Sequence, residues 1–203
     1  MTATTSNLPP IGLPSRHPES GPPPASVHPP RALRGLDILT SLLGLVALGG
    51  AVALGSAQTE TAARLVPSVV LIELGALALT APALIALHQF MRLAAEPEAL
   101  AGALGRALVH GGRVAAGLAV VALFFSATTN LWAVALLASL VGVGVFTSAT
   151  ACVQLQRVEA DARREQSLVS DPKFTLLVTG WLILSWIIAL RVGVNVGTWV
   201  LGL

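Results

Sequence analysis

From Gly111 to Cys152 the chain runs apolar for about 42 residues, broken near the middle by Ser126-Ala127-Thr128-Thr129-Asn130. One helix of that length would measure about 63 Å at 1.5 Å per residue, roughly twice the hydrocarbon thickness of a bilayer. The block therefore folds as a helical hairpin, with one span over about 111–127 and the next over about 131–153. So short a turn forces the two helices to be antiparallel neighbours. Thr128, Thr129 and Asn130 read as turn residues.

Three more apolar runs complete the set, at about 36–57, 66–91 and 174–196. Only 11% of residues are charged, against about 25% in soluble domains. The expectation is an all-α integral membrane protein, a bundle of five transmembrane helices over residues 34–203. Residues 1–33 lead into it. Nine of the thirteen prolines lie in residues 1–30, a composition without apolar periodicity that predicts a disordered, Pro-rich cytoplasmic tail. The Gly55-Ser56-Ala57 end of the first span looks somewhat like a cleavage site. The long region before it and the length of the run favour an uncleaved helix.

Orientation follows from the basic residues. With the N-terminus inside, ten Lys and Arg fall in the tail, the 2–3 loop and the 4–5 loop. Arg64 lies outside and Arg191 within span five. That asymmetry predicts N-terminus cytoplasmic and C-terminus outside. The high Ala, Gly, Leu and Arg usage with a single Lys points to a bacterial plasma (inner) membrane. A net charge of +2, with its basic residues beside the spans, gives no case for nucleic acid.

The cytoplasmic links carry local signals. Leu100, Leu104 and Leu108 repeat every four residues after Glu96-Pro97-Glu98, which predicts a short amphipathic helix lying on the membrane. Gln154 to Lys173 is the most charged stretch. Glu159 and Arg163, four apart, predict a solvated continuation of span four. Asp171-Pro172 is a helix start, with Asp as N-cap and Pro at the first position.

Few polar atoms inside the spans need explaining. Glu73 is a carboxylate among Val, Leu, Ile and Ala, expensive in a bilayer unless paired, hydrated or protonated. Counting rise per residue puts it in the outer half, as it does Arg191, so an intramembrane Glu73–Arg191 ion pair is expected to hold span five against span two. Pro82 removes a backbone hydrogen bond and predicts a kink, with Thr80 nearby to satisfy freed groups. His88 and His110 flank the 2–3 loop, and two such histidines are one way to hold haem. A rim position and a single pair weigh against it, so no cofactor and no metal are expected. Small residues four apart, above all Ala189, Gly193 and Gly197 with Asn195 among them, suit close helix packing. So do Ala47, Ala51 and Gly55, and Gly144, Ser148 and Cys152.

No Walker loop, HExxH, CxxC, GxSxG or paired acidic cluster occurs, which argues against an enzyme. The sequence favours a non-catalytic accessory or scaffold subunit of a larger membrane complex. Its partners would be the lipid bilayer and other membrane subunits, or a second copy by self-association. The alternatives are a small transporter or channel component using Glu73 and Arg191, and a haem- or quinone-associated anchor of a redox complex using His88 and His110.

Overall fold

The computed structural model describes residues 34–55, 59–129, 131–163 and 172–201. The expected disordered tail, Asn130 and the Asp171 cap lie outside them. Five helices follow in order among the described residues: α1 Gly35–Ala53, α2 Thr59–Phe90, α3 Pro97–Thr128, α4 Trp132–Ala162 and α5 Pro172–Leu201. All five are long and apolar enough to cross a membrane. Pro97 and Pro172 both open helices, where a missing N–H costs nothing.

α1 packs on α2 and α3, α3 packs on α4, and α2 packs on α5. α4 and α5 flank the bundle and meet only locally, as where Trp186 reaches Gly144. The tightest contact is α1 on α3. A Cβ at Gly44 would strike the Gly112 carbonyl, and one at Gly112 would strike Ser41, so both positions need glycine. The Ser41 hydroxyl adds a bond to the Leu108 carbonyl across this contact (3.0 Å). The expected α1 ladder is only partly used: Ala51 is buried and Gly55 meets Ser126, but Ala47 is exposed.

The segment expected as a helix on the membrane surface is instead the first half of α3. Leu100, Ala103, Leu104 and Ala107 are buried against Leu155, Phe174 and Trp181. Their spacing correctly implies a one-sided helix, but the apolar side meets protein. α5 is continuous through Gly193. α2 is likewise unbroken through Pro67 and Pro82. The Thr80 hydroxyl donates to the Ala76 carbonyl (2.8 Å), while Trp181 Nε1 donates to the Thr80 carbonyl (3.1 Å) and Ser185 donates to the Thr80 hydroxyl (3.1 Å). These bonds pin α5 to α2 beside Pro82.

Candidate functional site

Two carboxylates sit at opposite levels of the bundle in opposite surroundings. The first is Glu159. α4 has 31 residues, about 46 Å at 1.5 Å per residue, so after about 20 residues for the hydrocarbon its last turns extend beyond it. Glu159 lies in those turns, yet it is 3% exposed. The expectation of a solvated residue is corrected: the side chain is buried under the α2–α3 loop.

Four donors converge on it. Its Oε2 is 2.9 Å from His88 Nε2 and accepts the Ala95 N–H at 3.1 Å. Its Oε1 accepts the Ala94 N–H at 3.1 Å and Arg163 Nε at 2.8 Å. Burial pushes the carboxyl up, and the His88, Ala94, Arg163 and Ala95 donors outweigh it, leaving the group below the usual carboxylate range. An ionised carboxylate only accepts, so His88 Nε2 carries the hydrogen and donates it.

The loop held this way is shaped by its own backbone. α2 ends in a Schellman arrangement: Arg92 N–H bonds to the Gln89 carbonyl and Leu93 N–H to the His88 carbonyl. The left-handed position falls on Arg92 at φ 53°, where glycine is usual and an L side chain costs about 1 kcal/mol. The turn aims the next two N–H groups, Ala94 and Ala95, at Glu159, and the bonds they make there offset that cost. His88 thus belongs both to the cap and to the carboxylate. Its ring also lies edge-on to Phe174 (6.1 Å between centroids), which brings the start of α5 into the same cluster.

The second carboxylate is Glu73, half-buried on α2. No hydrogen bond or ion pair reaches it among the described residues. It lines a cavity of about 410 Å³ between α4 and α5, with α2 as the floor. The walls are mostly apolar, with Trp132, Trp181 and Trp186 among them. Leu137, Val141, Leu190 and Val194 in the lining are also exposed, so the cavity opens sideways. Ala189, Gly193 and Gly197 of α5 line it too, and a Cβ at either glycine would meet nothing within 4 Å. At Gly144, by contrast, Trp186 closes to 3.1 Å from where a Cβ would be.

The structure does not bring Glu73 and Arg191 together, although it puts them at one level. Arg64 donates to the Trp199 carbonyl (2.7 Å), which sets the register of α2 against α5. Glu73 is nine residues along α2 from Arg64, about 14 Å, and Arg191 is eight residues back along α5 from Trp199, about 12 Å. Arg191 is nonetheless exposed. It lies about 200° around the helix axis from Gly193 at 100° per residue, facing away from the cleft. Asn195 shares that exposed face.

Nor are His88 and His110 a facing pair. His88 is buried on Glu159, while His110 is exposed on α3. No group of three or more His, Cys, Asp or Glu that could hold a metal occurs among the described residues. The site that sequence reasoning missed, Glu159, carried a usable signal. Ala151, Leu155 and Glu159 are four apart and all buried, so the carboxylate extends the inward face of α4. No family model, curated protein or solved structure matches the chain.

Proposed function

We propose that the protein is a non-catalytic, multi-pass component of a bacterial plasma membrane that serves a larger membrane complex as an accessory or scaffold subunit. One observation carries this reading: α4 and α5 leave an apolar side open, with Gly193 and Gly197 facing empty space. Glycine weakens a helix, and small residues in membrane helices serve close approach of another backbone. Among the described residues nothing comes within 4 Å of a Cβ at either position. A second membrane component along the α4–α5 side gives them a use. The basic residues of the tail and of the 2–3 and 4–5 links put those segments in the cytoplasm and the C-terminus outside.

The test is purification in a mild detergent followed by a native gel. The accessory reading expects comigration with larger partners, lost when Gly197→Trp fills the open face while the protein remains in the membrane. Migration at its own size alone, unaffected by that change, would count against it. A reporter enzyme fused at Leu203 tests the orientation and should be active outside the cytoplasm.

A second reading, a small transporter or channel component, is favoured by Glu73 in the same cleft. It expects substrate or proton flux in liposomes that Glu73→Gln abolishes. Arg191 has no part in that path, since it faces away from the cleft.

A further inference from the structure

We infer that the α4–α5 cleft is a binding site for a membrane-dissolved amphiphile with an apolar body and one neutral hydroxyl donor, which bonds to Glu73. The proposal goes beyond the accessory reading and does not depend on it.

Size comes first. The cavity of about 410 Å³ falls within the range of roughly 300–1,000 Å³ typical of small-molecule sites. A partner helix can lie across the mouth, above the floor where Glu73 is.

Chemistry comes second. The walls offer aromatic and aliphatic side chains, and Glu73 on the floor has no partner among the described residues. A half-buried carboxyl in apolar surroundings without a partner is costly in either protonation state, and a ligand donor removes part of that cost. Depth then narrows the head group. Glu73 lies about 14 Å inward from Arg64, the residue that caps the far end of α5. A zwitterionic or phosphate head stays at the interface, whereas a hydroxyl on an apolar body reaches this level at modest desolvation cost. The sideways mouth gives entry from the bilayer.

The hydroxyl has two sources, a long-chain aliphatic alcohol or a lipid-soluble phenol, and the experiment separates them. Full-length protein in liposomes is titrated with a brominated long-chain alcohol, and tryptophan fluorescence is followed. Trp132, Trp181 and Trp186 line the cleft and report on it, while Trp199 does not. A Trp199→Phe background leaves only the reporting residues. The comparison ligands are the methyl ester of the same brominated chain, which cannot donate, and a brominated alkylphenol.

The proposal expects the alcohol, the phenol or both to quench at about tenfold lower mole fraction than the ester, the worth of one buried hydrogen bond. The stronger of the two names the source. Glu73→Leu should erase the preference, and Gly193→Leu, which has room to project into the cleft, should weaken quenching by both ligands. Equal quenching by alcohol and ester overturns the proposal, because the cleft would then hold ordinary lipid chains. A brominated alkylammonium that outcompetes both would overturn the neutral head. Circular dichroism and unfolding of each variant establish that it is folded, and a folded Glu73→Leu that keeps the alcohol preference also overturns the assignment.

Discussion

Glu159 and Glu73 are the same residue type on neighbouring helices, and the bundle treats them in opposite ways. Glu159 accepts from two side chains and two backbone N–H groups and closes the α2–α3 loop onto α4. Glu73 faces a cleft and accepts from nothing described. The difference is one of neighbours. Around Glu159 the Schellman turn and the inward face of α4 supply donors. Around Glu73, α4 and α5 draw apart and leave a mostly apolar cleft. One region is closed by its own hydrogen bonds, and the other leaves a carboxyl without a partner among the described residues.

Substitutions at the latched end should therefore have the largest effects. Glu159→Ala leaves His88 Nε2, Arg163 and two loop N–H groups without their acceptor, and unfolding in detergent should show a loss of about 3 kcal/mol. Gly112→Ala drives a methyl into Ser41 at the tight α1–α3 contact. It should cost about 2 kcal/mol by the same measurement. Thr80→Val removes the acceptor for Ser185 and the bond to Ala76, and about 1 kcal/mol should go with them. Gly197→Ala, on the open face, should raise stability by about 0.5 kcal/mol through helix propensity. Equal losses for Gly112→Ala and Gly197→Ala would break the contrast between closed and open sides.

The latch also has a pH signature. The folded-state carboxyl of Glu159 lies below its ordinary value of 4.5. Its contribution to stability is complete above that ordinary value and is lost as the pH falls through the lower, folded one. Stability of the wild type should thus fall more steeply below about pH 4.5 than that of Glu159→Gln. Parallel curves would mean that Glu159 is not held as a carboxylate.

Much of this was legible in the sequence. The apolar blocks give five helices, and the length of the Gly111–Cys152 block alone requires the α3–α4 hairpin. The level of Glu73 with Arg191 could be counted from rise per residue. Their rotation could not, because the faces of α2 and α5 that meet are set by Trp181, Ser185 and Thr80, contacts that no periodicity specifies. Leu100 and Leu104 announced an amphipathic helix without saying whether lipid or protein would cover it. Glu159 was hidden by its charged surroundings. A carboxylate four residues from an Arg reads as a surface pair until the backbone of another loop arrives to share it. The cleft was least legible of all, since it arises where α4 and α5 draw apart, and a gap leaves no pattern in a sequence.

Unfolding of Glu73→Leu in the same detergent as the wild type tests the division between the two carboxylates most directly. An unpartnered carboxyl gives up nothing when replaced by an apolar group of similar size, so the midpoint should be unchanged or higher. A loss approaching that of Glu159→Ala would show that Glu73 holds the bundle together after all.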